Sequence, residues 1–350
     1  MIRPQVRSQI RPPILPQRQV LAQAVSRYFT RPDASAAQYY ELSSSVVVSG
    51  DFEIEFKAST VGTPYAPFLG SELNLDNYCD LNPVNQPRIK INGNIYQATQ
   101  SVPVWILDTF IFRRLDNVLY ISTASGVAYS TQCSTDDFVF NLIGRRFGST
   151  FMSGIISDIK AWSGGDRNTG DFIVDFPINQ KIPTDGIIPN RSAGNPGAVS
   201  HLMAVNLLPL DSVRYEKTGN DWYGPELLDF GDWVFGSYST YSAIDGVIYI
   251  DTIGAGVESV VIHSPLGLIS KFKTYLVEYD VISTDGSIRI NHNADGQTNE
   301  VANPSEGRRI VEVVGNGLGD GRIQVRVAAN TVAKIRISNF SIREILRTAS

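Results

Sequence analysis

Phe138–Trp162 reads FVFNLIGRRFGSTFMSGIISDIKAW. Two runs in it alternate apolar and polar side chains: Phe138-Val139-Phe140-Asn141-Leu142 and Ile155-Ile156-Ser157-Asp158-Ile159-Lys160-Ala161-Trp162. A period of two marks a half-buried strand, and Gly144, Gly148 and Gly154 between the runs mark turns. The stretch predicts two strands joined by a glycine-punctuated connection, and it sets the reading of the rest of the chain.

Working outward, the 350 residues predict two domains, with 43% apolar residues to fill two cores. Gly 29, Pro 18 and Tyr 15 fit an all-β chain with many tight turns. The net charge of −5 argues against general nucleic-acid binding. The charge is uneven. Residues 1–35 carry six arginines, Arg3, Arg7, Arg11, Arg18, Arg27 and Arg31, against Asp33 alone. The remainder carries 24 basic and 34 acidic residues, a balance of −10. A basic arm on an acidic body fits docking better than catalysis.

The opening residues, MIRPQVRSQIRPPILPQ, have the proline density of extended chain and lack the apolar core of an export signal. No stretch approaches the length of a membrane-spanning helix, so no membrane insertion is expected. In residues 18–30, Val20, Leu21, Ala24, Val25, Tyr28 and Phe29 recur at helical spacing and predict a short helix with an apolar stripe. Residues 1–35 are thus read as a basic docking arm. Arg3, Arg7, Arg11, Arg18, Val20, Leu21, Val25 and Phe29 would contact a partner. Packing of the arm on its own chain is the alternative. Two cysteines, Cys79 and Cys133, are too few for a disulfide framework, and a single bridge stays open.

Residues 36–180 predict a first sandwich, with strands at Val46–Val48, Phe52–Lys57, Arg88–Ile91, Asn94–Gln97, Trp105–Leu115, Val118–Thr123 and the two opening runs. Asn92-Gly93 and Asp116-Asn117 are hairpin pairs, because a type I′ turn needs positive φ at both central residues. Thr60–Gln86, with Pro64, Pro67 and Pro83, reads as loop at the rim. Residues 181–205, rich in Gly, Asn and Pro, read as a linker or strap. Residues 206–350 predict a second sandwich, with strands from Trp233–Phe235 to Ile335–Ile345.

The opening stretch resembles the closing strands of concanavalin A-like, laminin-G-like jelly rolls, through Phe151, Gly154, Ile156, Asp158, Ile159, Ala161 and Trp162. FIFRRLDNVLYIS, around Asp116-Asn117, is similar to the central hairpin of that family. In the second half, Asn206-Leu207-Leu208-Pro209, the run Tyr275–Val281 and Ile337-Ser338-Asn339-Phe340-Ser341-Ile342-Arg343-Glu344 resemble the carbohydrate-binding-module-like jelly rolls of bacteriophage structural proteins. The resemblances imply an all-β fold: an N-terminal extended and helical arm followed by two jelly-roll β-sandwich domains. Ile156-Ser157-Asp158-Ile159 and Ile337-Ser338-Asn339-Phe340 also echo each other at the close of each half.

Catalytic signatures are weak. Glu278-Tyr279-Asp280 begins like a glucanase acid strand, but Ser283 stands where the third acid belongs, and Glu53, Glu55, Glu278 and Asp280 read as solvent faces of strands. His201, His263 and His292 have no metal spacing. Asp76, Asn77 and Asp80, or Asn291, Asn293 and Asp295, carry oxygens suited to a structural calcium ion, although turn-forming Asn and Asp explain both runs without one. No other cofactor is expected. Aromatic residues are the better lead. Trp222, Tyr223, Trp233, Phe235, Tyr238 and Tyr241 crowd into twenty residues. Trp233 and Phe235 are read as core. Trp222 and Tyr223, beside Asn220 and Asp221, are read as exposed on a loop and, with Tyr238 and Tyr241, suited to a sugar face.

These readings converge on a non-enzymatic virion component. It is made in a host cytoplasm, anchored through its arm to other virion proteins, and displayed as a tail fibre, appendage or head decoration that attaches to host-surface glycan. A homotrimer is the expected assembly. A carbohydrate-active enzyme or its accessory module, and a purely architectural virion protein, are the alternatives.

Overall fold

The computed structural model describes residues 26–60, 65–73, 75–228, 232–236, 239–244, 247–252, 259–270, 273–292, 300–302, 304–315, 321–329 and 332–349. The described chain is all-β, with only two single-turn 3-10 helices, Ala34–Ala36 and Pro209–Asp211. No helix among the described residues is long and apolar enough to cross a membrane.

Two sheets enclose the larger core. One has the order Ile187–Pro189, His201–Val205, Tyr39–Val48, Phe138–Ile143, Ala66–Gly70, Tyr78–Leu81, Pro87–Ile91, Asn94–Gln97. The other runs Ser26–Thr30, Ser212–Thr218, Asp221–Glu226, Lys334–Thr348, Ile106–Leu115, Phe52–Thr60, Gly154–Ser163, Asp171–Phe176. Both opening runs are strands, and the glycines between them take positive φ, 77° at Gly144, 80° at Gly148 and 148° at Gly154. Gly154 is also a packing requirement, since an added Cβ would collide with the Ser59 carbonyl oxygen. Alternation on the two sheets brings Phe52, Phe56, Phe110 and Phe112 against Phe68, Phe138 and Phe140. The Phe56–Phe68 and Phe56–Phe110 ring centroids lie 4.9 and 5.4 Å apart. Each such ring removes 150–250 Å² of surface from water, roughly, which makes this cluster the main apolar driving force of the first half.

Both hairpin pairs adopt the predicted turn. φ is 44° and 88° at Asn92-Gly93, and 50° and 62° at Asp116-Asn117. Thr60–Gln86 differs from its loop reading. It holds the strands Ala66–Gly70 and Tyr78–Leu81, which lie inside the eight-stranded sheet with every residue buried. Pro67 stays in register with Asp80 on one side, and on the other the pairing with Phe138–Ile143 reaches only Leu69 and Gly70, so Pro67 lies beyond that ladder and its missing N–H is not called on there. Residues 181–205 likewise supply two strands, Ile187–Pro189 and His201–Val205, the second pairing with Tyr39–Val48. Cys79 and Cys133 are free thiols, and burial pushes both up in pKa.

A second apolar cluster fills the space between a five-stranded sheet and the far part of the long one. Trp233, Ile262, Ile290, Val325 and Val327 meet Ile250, Val277, Tyr279, Ile337 and Ile342. The order of the smaller sheet is Val234–Phe235, Ser259–His263, Gln324–Val327, Ile288–Asn291, Glu300–Ala302. The long strand Lys334–Thr348 joins the halves, its end running parallel to Ile106–Leu115 at Arg347↔Ile106 and Thr348↔Leu107.

The expected helix over residues 18–30 is replaced, in its described part, by the strand Ser26–Thr30, which pairs antiparallel with Ser212–Thr218. Phe29 is 0% exposed in a small cluster with Leu107, Ile155, Tyr215, Trp222 and Leu346. Its ring edge meets Tyr215 and Trp222 at 5.5 and 5.3 Å. Phe29 is therefore taken up within its own chain, which corrects its reading as a partner contact. The other seven docking residues, Arg3, Arg7, Arg11, Arg18, Val20, Leu21 and Val25, lie outside the described residues.

The sequence echo is a shared backbone device. Asp158 and Asn339 both have φ of 52°, and each sits where strand register shifts, between Ser157 and Lys160 and between Glu278 and Asp280. Asp and Asn tolerate left-handed backbone better than other non-glycine residues, and a bulge re-aims the side chain. Asp158 consequently turns to accept two hydrogen bonds from Arg27, at 2.9 and 3.0 Å, while Lys57 Nζ stands 3.3 Å away. Asn339 Nδ2 instead donates to Asp280 at 2.7 Å.

Candidate functional site

The aromatic lead divides at Asp221–Glu226. This segment is a strand, paired with Ser212–Thr218 on one side and Lys334–Thr348 on the other. Strand alternation sends neighbouring side chains to opposite faces. Trp222 is only 9% exposed and packs on Phe29, so it is a core residue, which corrects its expected place on an exposed loop. Tyr223 is half-buried on the opposite face, which is open.

On that face Tyr223 lines a depression of about 300 Å³ with Arg214, Glu216, Gly224, Pro225, Glu226 and Arg343. Register explains the assembly. Tyr223 pairs with Glu216 and with Ile345, and Glu226 pairs with Arg343 across a bulge. The Arg343 guanidinium lies 5.6 Å from the Tyr223 ring centroid and 3.3 Å from Glu278 Oε2. Arg308 approaches the other Glu278 oxygen at 2.9 Å. Glu226 is held by the Ile342 backbone N–H and by Ser341 Oγ, each donating at 2.5 Å. The result is an aromatic ring set among fixed carboxylates and guanidinium groups. That combination offers a flat apolar face together with donors and acceptors for hydroxyl groups.

The opposite face of the same strands holds a second hollow, of about 330 Å³, lined by Arg31, Tyr215, Lys273, Tyr275 and Glu344 among others. Arg31 Nη1 donates to Glu344 Oε2 at 2.8 Å, and its Nη2 contacts both Glu344 Oε1 and the Tyr215 hydroxyl. Lys273 Nζ lies 3.4 Å from Glu344 Oε2 and 5.5 Å from the Trp105 ring centroid. Burial, then the neighbouring Arg31 charge, lowers the Lys273 pKa against the opposing pull of Glu344. Gly224 leaves room for the Tyr215 ring, since a Cβ there would approach its Cε1 to 3.3 Å. Arg31, Lys273 and Glu344 were absent from the sequence-based site. Glu344 closes a motif read for fold alone, and no local pattern ties it to the two cations.

The remaining candidates do not join Tyr223. Tyr241 is on Ser239–Ile244, opposite Ile250, which itself faces Ile335. Tyr223 faces Ile345, so the two positions are separated by about 30 Å of strand. The Tyr241 side chain and all of Tyr238 lie outside the described residues.

Of the calcium candidates, Asp80 is fully buried and saturated by arginine: Arg88 donates at 2.5 and 2.9 Å and Arg146 at 3.0 Å. It is the centre of an ion cluster, with both carboxylate oxygens taken up by the two arginines. Asp76 Oδ1 faces Lys90 at 3.5 Å, Asn77 Oδ1 accepts from the Asn92 N–H at 3.3 Å, and Asn291 is buried. Asn293 and Asp295 lie outside the described residues. Among the described residues no group of three or more His, Cys, Asp or Glu is placed to hold a metal ion. Glu53 also departs from its solvent-face reading, since it is 1% exposed and paired with Arg167.

No protein-family model matches the sequence, and no curated protein matches it. The solved structures that overlap parts of the chain include the following three. A heptameric SAP-like pentraxin from Limulus polyphemus aligns over 40% of this chain and 76% of its own, at 7% identity and a TM-score of 0.31. A protein described as carbohydrate-binding, from Bacteroides ovatus, aligns over 53% of this chain and 59% of its own, at 11% identity and 0.41. Domain 4 of AbnA, an extracellular arabinanase from Geobacillus stearothermophilus solved with arabinotriose, aligns over 33% and 62%, at 12% and 0.29. Likeness at these levels carries no inference about ligand or activity.

Proposed function

We propose that this chain is a non-catalytic carbohydrate-binding protein that uses the Tyr223 depression to hold a sugar. The supporting observation is the placement of one accessible aromatic ring among Arg214, Glu216, Glu226 and Arg343 in a hollow of about 300 Å³. Sugars present an apolar face and a rim of hydroxyls, and this lining offers a partner for each. The setting we propose is an attachment component of a bacteriophage virion, in a homotrimer, with residues 1–25 reaching neighbouring virion proteins. The basic, proline-rich composition of that arm against an acidic body supports the setting, as do the motif resemblances of both halves. Several copies on one particle would turn weak single sites into firm attachment.

The test is a glycan array probed with the full chain and with Tyr223→Ala. The reading expects wild-type signal on a discrete glycan class and loss of that signal in the variant. An array with no wild-type signal leaves an architectural role.

A further inference from the structure

We propose that the hollow around Arg31, Lys273 and Glu344 is a binding site for a small carboxylate-bearing ligand, separate from the Tyr223 depression. Charge is the first argument. Among its described lining residues are two cations and one carboxylate, so one positive charge is unbalanced in a partly desolvated space. Glu344 is engaged by both cations, yet its distance to Lys273 Nζ, 3.4 Å, is longer than a well-formed charge-assisted hydrogen bond. The site thus carries positive charge beyond what Glu344 balances.

Shape and lining give the second argument. The hollow has about 330 Å³, at the small end of ligand pockets. Its walls add Leu227, Leu268 and Pro225 to the hydroxyl-bearing rings Tyr215 and Tyr275. Tyr275 Oη already accepts from the Ser270 N–H at 2.9 Å, leaving its own proton to donate. A carboxylate between Arg31 and Lys273 would balance the charge, with its carbon body against the leucines. A dianion such as phosphate would crowd Glu344 with a second negative charge, and a neutral ligand would leave the excess charge in place. The carboxylate could belong to a free small acid or to an acidic sugar within a glycan. The chemistry at the cations is the same.

Calorimetry on the full chain with acetate, glucuronate, glucose and inorganic phosphate tests this. In the Tyr223→Ala background, which removes the sugar depression proposed above, glucuronate should bind measurably, glucose should not, and Lys273→Gln should weaken glucuronate by at least about tenfold. Acetate binding as tightly as glucuronate would assign the site to free acids, whereas glucuronate well ahead of acetate would assign it to an acidic sugar. Leu268→Glu, which places a carboxylate at the wall, should also abolish binding and serves if Lys273→Gln does not fold. Equal heats for glucose and glucuronate, preference for phosphate, or binding unchanged in a folded variant would overturn the proposal, as would the absence of any acid binding.

Discussion

Trp222 and Tyr223 are adjacent in the chain and opposite in surroundings. Trp222 closes a small core with Phe29, Tyr215 and Leu346, while Tyr223 lines an open depression beside Arg343. Both carry large rings suited to a sugar, so composition cannot separate them. Strand periodicity does, because a period of two assigns one ring to packing and the next to the accessible face. The difference shows that an aromatic cluster in sequence becomes a site only after the backbone has distributed its members between faces.

The largest expected effect breaks the packed half of this comparison. Trp222→Ala removes a ring in contact with Phe29 and should cost about 3–5 kcal/mol, read as a drop in denaturant midpoint. A loss below about 1 kcal/mol would mean that the small core contributes little.

Arg27 tests how that core is tied to the first sandwich. Its guanidinium stacks 4.8 Å from the Phe29 centroid, grips Asp158 with two hydrogen bonds, and donates to the Pro177 carbonyl at 3.2 Å. Arg27→Ala should cost about 1–3 kcal/mol, since it leaves a partly buried carboxylate with Lys57 alone. Equilibrium unfolding checks this, and a neutral substitution would contradict the clamp.

Acid titration sharpens the contrast between two arginine-paired aspartates, Asp158, partly buried, and Asp80, fully buried. Burial raises the Asp158 pKa, but Arg27 and Lys57 outweigh it and the net shift is downward. At Asp80 burial prevails over Arg88 and Arg146, and the net shift is upward. A depressed carboxylate stabilises above its unfolded value, roughly 3.9, and loses that contribution as pH falls through the folded value. A raised one contributes stability that is present below the unfolded value and is lost as pH rises through the folded one. Asp158→Asn should therefore flatten the loss of stability below about pH 4, while Asp80→Asn should steepen the loss that develops above about pH 4, as pH falls from the raised folded value toward the unfolded one. Unfolding midpoints between pH 3 and 6 read both slopes, and identical slopes in the two variants would contradict the assignment.

Much of the fold was legible wherever local pattern and tertiary environment agree. The alternating runs around Phe138 and Ile156 became strands, and Asn92-Gly93 and Asp116-Asn117 became turns with positive φ at both residues. Pattern misled where one feature suits two structures. Tyr28 and Phe29 fit a helical stripe, yet strand pairing with Ser212–Thr218 decides their state, and that partner is about 185 residues away. Pro67 looked like a loop residue because the extent of each neighbouring ladder cannot be seen before the partner strands are known. Asn220 and Asp221 suggested a loop around Trp222; the chain does turn at Gly219, with φ of 63°, but the strand starts at Asp221 and carries Trp222 inside. The charged hollow was illegible for a related reason. Tyr275 and Glu344 meet by cross-strand pairing, and Arg31 arrives on a third strand's end.

The central claim is that the face carrying Tyr223 binds carbohydrate. The most direct measurement is the affinity of the strongest array ligand for the wild type, Tyr223→Phe and Tyr223→Ala, with thermal melts alongside. The account predicts that Ala weakens binding by about tenfold or more and lowers stability by less than about 1 kcal/mol, while Phe, which keeps the ring, stays within about threefold of the wild type. Unchanged affinity in a folded Tyr223→Ala protein would contradict it.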